Sequence, residues 1–170
     1  MHHHVFQNTI LPLKDKLFRF ALRILNNADE AEDIVQDAML KFWNKRNEWI
    51  KIDNMEGYCF QTVKNLIWDR IQSKDYQNKS FDMQIYERYD EYNPFSKMVE
   101  DEQKKLIRDL ISTLPDSQRA AMQLRDIEGL SYLEIANIME VPESQVKNHL
   151  FRGRQKIKQL FDKIYNYEHP

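Results

Sequence analysis

The sequence is poor in the residues that break helices and in cysteine. Only three glycines and five prolines occur in 170 residues. Long helices need few of either residue, whereas turns between strands use both. The single cysteine, Cys59, excludes a disulfide within the chain, and disulfides are typical of secreted proteins. This composition favours an all-α protein of the cytoplasm.

Long hydrophobic runs are also missing. The mean hydropathy is −0.73, and no apolar run approaches the roughly 18 residues that a membrane span needs. No signal-peptide pattern of basic, apolar and small segments opens the chain. We therefore expect a soluble, cytoplasmic protein.

Motifs of catalysis and of metal binding are absent as well. The sequence has no glycine-rich phosphate loop, no HExxH and no reactive partner for Cys59, which is read as a small core filler. His2, His3 and His4 lack a second cluster of ligands, so they predict a disordered tip and not a metal site. We therefore expect that the protein is not an enzyme, needs no cofactor and has no small-molecule substrate.

Apolar residues recur at helical spacing in residues 5 to about 75 and predict one domain of three helices. Asp29 and Glu30 suit a helix start because acidic side chains interact favourably with the helix dipole. The predicted core positions are Leu17, Phe20, Ala21, Ile24, Leu25; Ala31, Ile34, Val35, Ala38, Met39, Phe42, Trp43; and Phe60, Val63, Ile67, Ile71.

The periodicity fades over residues 76–101, which are rich in tyrosine and acid. From Asp82 to Glu102, seven acidic residues stand against two basic ones, a net charge of −5. Pro94 interrupts any helix that forms there. We read this segment as a linker that acts as a solubilising tether.

A second helical domain is predicted over residues 102–165. Ser131 and Glu134 form a capping-box pattern, and Gly129 suits the end of the preceding helix. A short turn at Val141 and Pro142 then separates two helices, which describes a helix-turn-helix. The predicted core positions are Leu106, Ile107, Leu110, Ile111, Leu114; Ala120, Ala121, Leu124, Ile127; Ile135, Ala136, Met139; and Val146, Leu150, Ile157, Leu160, Phe161.

The last helix is basic although the chain as a whole carries a formal charge of −2. From Ser144 to Lys163, six basic residues stand against one acidic residue, a net charge of +5. Such a helix either presents a solvated basic face or touches nucleic acid. The helix-turn-helix pattern upstream favours DNA binding in a major groove.

Four motifs in the two predicted domains resemble those of a known family. The −35-reading domain of bacterial sigma factors resembles two stretches here, LSYLEIANIMEVPESQVKNHLFRGRQKIK and LPDSQRAAMQLRDIEG. The segment with which these factors grip the polymerase core resembles ADEAEDIVQDAMLKFW. The segment that opens the −10 element resembles YCFQTVKNLIWDRIQSK. Two domains and a linker are the layout of the extracytoplasmic-function (ECF) group of the sigma-70 family. The resemblance implies a factor that binds core RNA polymerase and directs promoter-specific initiation. It also implies that the acidic linker enters a basic channel of that enzyme, the alternative being the solubilising tether.

The resemblance also implies the residues of the first domain that act. Asp33, Gln36 and Asp37 would dock on core polymerase, the alternative being a solvated surface. For single-stranded −10 DNA it implies an asparagine that reads an extruded base and an aromatic residue that stacks on one, the alternative for the aromatic being a lid on the core. Basic residues would lie along the strand. These positions are Trp49, Lys64, Asn65, Arg70 and Lys74.

In the second domain, the resemblance implies a reading face for the −35 duplex. Its members are Gln145, Lys147, Asn148, Phe151, Arg152 and Arg154. Gln145, Ser144 and His149 depart from the family's usual threonine, glycine and arginine, which leaves the preferred promoter sequence open. Gly153 replaces a usual alanine and allows close helix packing.

The family is usually held inactive by an anti-sigma factor, often membrane-bound, and we expect one here. The main alternative is a helix-turn-helix regulator that acts without core polymerase. A regulator binds duplex DNA alone, whereas a sigma factor of this kind binds weakly until it joins core. A helical adaptor that binds only protein would show no salt-dependent DNA association at all.

Overall fold

The computed structural model describes residues 1–73 and 102–168. These residues contain helices and no strand, as the composition predicted. The predicted linker at 76–101 and the predicted DNA contact Lys74 lie outside the described residues.

The first half forms helices in close succession. Asn26 ends α2 with a left-handed φ of 52°, and the Asn27 side chain caps α3 by accepting the Glu30 N–H at 3.0 Å. The elements are α1 (His2–Val5), a π turn (Phe6–Ile10), a 3-10 turn (Leu11–Leu13), α2 (Lys14–Leu25), α3 (Ala28–Asn44), a second 3-10 turn (Arg46–Lys51) and α4 (Met55–Gln72).

The apolar stripes of α2, α3 and α4 meet in one core. Phe20 and Phe60 are fully buried, with ring centroids 5.6 Å apart. Every predicted core position of this half is buried or partly buried, Met39, Trp43 and Ile71 being in the second group. Helical periodicity therefore predicted the inner faces correctly.

The predicted disordered tip is wrong. His2–Val5 is helical, and the His3 ring lies 4.9 Å from the Trp43 ring between centroids. Phe6 packs on Trp43 at 5.6 Å. These aromatic contacts give the first turn packing partners that a polar tip lacks.

The second half contains four helices in the described residues: α5 (Glu102–Ile111), α6 (Asp116–Met122), α7 (Tyr132–Met139) and α8 (Glu143–Glu168), with a π turn (Gln123–Ile127) continuing α6. Gly129 follows that turn with φ 75°, a conformation that glycine adopts without strain. The predicted capping box is confirmed, because the Ser131 hydroxyl accepts the Glu134 N–H at 3.1 Å and the Glu134 carboxylate accepts the Ser131 N–H at 2.8 Å.

The core of this half follows the predicted stripes with two exceptions. Ile107 and Ile127 are exposed, at 38% and 45%. Gly153 lies on the inner face of α8, where a Cβ would stand 2.9 Å from the Met122 sulfur. A glycine therefore lets α8 approach α6 closely.

Hydrogen bonds join the two halves. Arg19 makes a bidentate pair with Glu128, at 3.1 Å for both Nε–Oε1 and Nη2–Oε2. Buried Arg23 donates from Nε to the Gln123 amide oxygen at 3.0 Å. Arg119 donates to the Ile24 carbonyl at 2.5 Å. This contact aligns α2 with α6 and brings α4 beside α7.

Candidate nucleic-acid interface

The helix-turn-helix consists of α7, a turn over residues 140–142 and α8. Ala136, Val146 and Leu150 are buried where the two helices meet. Glu140 ends α7 with φ 58° and ψ 45°, in the left-handed region. The turn and the packing leave the first three turns of α8 with one free face.

Five of the six residues predicted to read the −35 element lie on that face without ion pairs. Phe151 is 67% exposed, which is unusual for a large apolar side chain. An exposed aromatic among polar side chains suits contact with the methyl group of a thymine. The five exposed residues are Gln145, Lys147, Asn148, Phe151 and Arg152.

Arg154, the sixth, is held by an acidic partner. Its Nε and Nη2 donate to the two Asp126 carboxylate oxygens at 3.1 and 2.5 Å. The hydrogen bond that Arg154 donates to Asp126 raises the pKa of Arg154, so the guanidinium stays charged. Arg154 is thus presented in a set position and its charge is partly offset.

Tyr132 is a residue of this surface that the sequence reading missed. The Arg125 guanidinium lies 4.6 Å from its ring centroid and the Lys147 ammonium 5.6 Å. Both distances suit cation–π contact. Tyr132 therefore positions Lys147, and the only sequence signal was an aromatic residue directly after the capping Ser131.

A groove of about 380 Å³ runs beside these side chains. Tyr132, Lys147, Phe151 and Arg154 line it, together with Leu150, Gln155 and Lys158. His149 is partly buried on the same helix, and its pKa is lowered first by burial and then by Arg152, which disfavours the charged form of its ring.

The three predicted −10 residues on α4 differ in their exposure and in their partners. Asn65 is exposed and faces solvent. Lys64 is buried, and its ammonium donates to Glu140 Oε2 at 3.0 Å, across to the turn of the helix-turn-helix. Arg70 pairs with the buried Glu30 carboxylate of α3. The assignment of Glu30 to the helix dipole is therefore incomplete, since its carboxylate also accepts a hydrogen bond from Arg70.

Trp49 lies in an aromatic cluster and is 6% exposed. Its ring is stacked against Phe6 at 6.4 Å and meets Trp43 at an angle at 6.4 Å. Its indole N–H is buried without a partner. In this arrangement Trp49 covers the core, and a base reaches its face only if the first turns of the chain move away.

The predicted docking residues Asp33, Gln36 and Asp37 are all exposed on α3. Leu40 follows them by one turn and is 64% exposed. Leu40 thus adds one exposed apolar side chain to this acidic face of α3. Leu40 stood outside the apolar stripe, which was the signal available in the sequence.

No group of three or more His, Cys, Asp or Glu side chains within residues 1–73 and 102–168 can hold a metal ion, and no helix in these ranges has the length and apolarity to cross a membrane. Cys59 is fully buried, and burial raises the pKa of its thiol to about 12.

Known sequence profiles match both halves. Sigma-70 region 2 matches residues 10–76, and Sigma-70, region 4 matches residues 104–157. The RNA polymerase sigma-H factor of Pseudomonas aeruginosa is 29% identical over 161 residues, covering 89% of this chain and 83% of that protein. The ECF RNA polymerase sigma factor SigW of Bacillus subtilis is 31% identical over 159 residues, covering 88% and 85%.

Two solved structures share the fold. The sigma factor RpoE in complex with the anti-sigma factor NepR from Bartonella quintana superposes with a TM-score of 0.68 at 22% identity, covering 92% of this chain and 96% of that one. CnrH in complex with the cytosolic domain of CnrY gives 0.68 at 18% identity, with 95% and 90% covered. The chain belongs to the sigma-70 family and, within it, to the ECF RNA polymerase sigma factors, which direct promoter-specific initiation of transcription.

Proposed function

We propose that residues 5–75 bind core RNA polymerase and open the −10 element, that residues 102–165 read the −35 duplex, and that residues 76–101 connect the two. The observation that carries this division is the exposed face of α8. Side chains suited to base edges lie near the start of the helix and cations lie farther along, where Arg154 is paired with Asp126.

At the −35 element, Gln145, Lys147 and Asn148 reach base edges from the first turns of α8. Phe151 packs on a thymine methyl, and Arg152 donates to a guanine or a phosphate. Arg154, oriented by Asp126, contacts a phosphate. Together these contacts specify sequence near the start of the helix and hold the backbone farther along it.

At the −10 element, Asn65 reads a base of the single strand, because its exposed amide can both donate and accept. Lys64 contacts a phosphate once Glu140 has moved away. Arg70 supports α4 through Glu30 and contacts DNA only by exchanging that partner. The DNA-binding roles of Trp49 and Lys74 stay predictions. Stacking of a base on Trp49 requires the aromatic cluster to open.

Asp33, Gln36 and Asp37 dock on core polymerase, with Leu40 adding an apolar contact. The −5 charge of residues 82–102 suits a basic channel of the same enzyme. The chain supplies no catalysis of its own. Because its partner enzyme works on chromosomal DNA, we assign it to the cytoplasm.

An anti-sigma factor is a further partner. One structural relative named above is a sigma factor in complex with an anti-sigma factor, and the other is CnrH in complex with the cytosolic domain of CnrY. A helix-turn-helix regulator without core polymerase is the second candidate, but it requires a sensor or dimerisation domain where region 2 stands.

Run-off transcription tests the proposal. Purified core RNA polymerase from the source bacterium is given fragmented genomic DNA with and without the chain. Discrete transcripts that require the chain establish promoter selection. Silence together with no co-migration with core would remove the docking assignment first and would favour the regulator.

A further inference from the structure

Tyr132 interacts with three cations of the helix-turn-helix region. The Arg125 guanidinium lies 4.6 Å from its ring centroid, and the Lys147 ammonium lies 5.6 Å from the same centroid. Hydrogen bonding to Tyr132 also adds to the rise in the pKa of Arg154, which Asp126 causes in the first place. One aromatic side chain of α7 therefore touches a cation from the π turn that continues α6 and two cations of α8.

The backbone beside Tyr132 is fixed by the capping box at the start of α7. Tyr132 is the first residue of that helix and follows the capping Ser131 directly. The Ser131 hydroxyl accepts the Glu134 N–H, and the Glu134 carboxylate accepts the Ser131 N–H. These two bonds restrain the first turn of α7, so the Tyr132 ring projects from a rigid position.

Arg125 restrains the ring itself. Its Nη1 donates to the Leu130 carbonyl at 2.8 Å while its guanidinium lies over the Tyr132 ring. A guanidinium that is bonded to the backbone cannot move away from the ring without losing that hydrogen bond. Arg125 is thus the fixed cation on Tyr132, and the ring has a fixed orientation towards α8.

Lys147 is the cation that can leave. Its ammonium is 1.0 Å farther from the ring centroid than the Arg125 guanidinium, near the roughly 6 Å limit of the interaction, and its side chain is exposed. A cation–π contact at an exposed site corresponds to about a two- to fivefold preference for the held position. A good contact with a base edge contributes more than this, so Lys147 can exchange the ring for DNA.

The restraint matters because a lysine selects bases poorly by itself. Its ammonium is a point charge on a flexible four-carbon chain, which reaches several base edges or phosphates with similar ease. A side chain that starts from one position loses less conformational entropy on binding and reaches fewer acceptors. Tyr132 gives Lys147 such a starting position beside the groove that both residues line.

We propose that Tyr132 is a specificity-determining residue of the −35 site, whose ring, held by Arg125, decides which base pair Lys147 reads. The proposal rests on the proposed function, because it places Lys147 at a base of the −35 duplex. It makes Tyr132 a positioning residue that acts through Lys147, and it gives Arg125 the role of fixing the ring.

The test measures the affinity of the assembled polymerase for promoter fragments that differ by single base pairs in the −35 element. The base pair whose preference is lost in Lys147→Ala is the one that Lys147 reads. At that base pair, Tyr132→Leu reduces the preference about two- to fivefold, because Lys147 is no longer held. Tyr132→Phe retains the preference, because the ring remains and Asp126 still holds Arg154.

A preference is a ratio of two affinities, so a smaller fraction of folded protein does not change it. A merely structural role for Tyr132 would therefore leave the wild-type preference in Tyr132→Leu, and this result would overturn the proposal. Absence of any preference that depends on Lys147 would overturn it too. Tyr167→Leu is the matched control, because this tyrosine is 88% exposed at the far end of α8.

A double-mutant cycle shows whether the effect passes through Lys147. In a Lys147→Ala background, Tyr132→Leu causes no further change of preference at that base pair. A further change would mean that Tyr132 contacts the base pair itself, and the positioning role would be rejected.

A measurement on the free chain separates this proposal from the proposed function. In proton NMR spectra, the ring shifts the Lys147 Cε protons upfield of those of Lys156, an exposed lysine of the same helix. The shift disappears in Tyr132→Leu and persists in Tyr132→Phe, and its absence in the wild-type chain would overturn the proposal. If promoter-dependent transcripts form but Tyr132→Leu keeps the wild-type preference, only the role of Tyr132 is wrong. If no transcript forms with the wild-type chain, the proposed function fails whatever the Lys147 resonances show.

Discussion

Asp126 holds Arg154 by both oxygens of its carboxylate, at 3.1 Å to Nε and 2.5 Å to Nη2. The pair joins the end of the α6 region to the middle of α8, 28 residues later. It leaves one cation of the basic helix both oriented and partly neutralised.

Asp126→Asn is therefore expected to strengthen −35 duplex binding by the assembled polymerase and to increase the salt slope by about one ion, because the charge of Arg154 is no longer offset by a carboxylate. Filter binding over a range of salt concentrations measures both quantities. Asp162→Asn, which removes the one acidic residue of the basic segment, is the control. An unchanged slope would mean that Arg154 does not contact phosphate.

Lys147→Ala and Arg152→Ala are each expected to weaken −35 binding by about 1–3 kcal/mol if they contact bases. Competition between promoter variants in the assembled complex measures the loss and its dependence on sequence. Lys163→Ala, near the other end of α8, is the control. A loss that is equal for all sequences would assign the contact to phosphate, and unchanged affinity would remove the residue from the reading face.

Asn65→Ala is expected to impair −10 discrimination and promoter opening while core binding is retained, because the side chain is exposed on α4 and lies outside the core. Permanganate reactivity of unpaired thymines reports opening. Gln72→Ala, also exposed on α4, is the control. A variant that fails to bind core would instead give Asn65 a structural role.

Charge reversal at Asp33 and Asp37 is expected to weaken core binding at least about tenfold, because an attraction becomes a repulsion across the interface. Leu40→Ser should weaken it as well by removing an exposed apolar contact. Native gel shifts with core polymerase measure the affinity. Asp53→Lys, an exposed carboxylate outside α3, should bind as wild type does, and equal binding of all variants would remove α3 from the docking face.

Cys59 is expected to resist thiol reagents in the folded chain. Its pKa of about 12 lies far above pH 8, so the thiol is neutral there, and the side chain is fully buried. A colorimetric disulfide reagent at pH 8 should detect one thiol only after denaturation. Fast reaction under native conditions would show that α4 leaves the core.

The sequence predicted the helices and their inner faces because both depend on residues three and four positions apart in the chain. Phe20, Phe60 and Leu150 each fall on the apolar stripe of their own helix and are buried as predicted. The capping box at Ser131 and the glycine at 129 are equally local. The exposed row on α8 followed from the same periodicity, since the positions between buried residues face outward.

The local chemistry of the sequence thus determined the all-α class, the helix-turn-helix and the free face of α8. Only the tertiary structure decided which cations are free and which are paired. Lys64 meets Glu140 across 76 residues, and Arg70 meets Glu30 across 40. Such pairs depend on how separate helices pack, and helical periodicity carries no information about contacts at that distance along the chain.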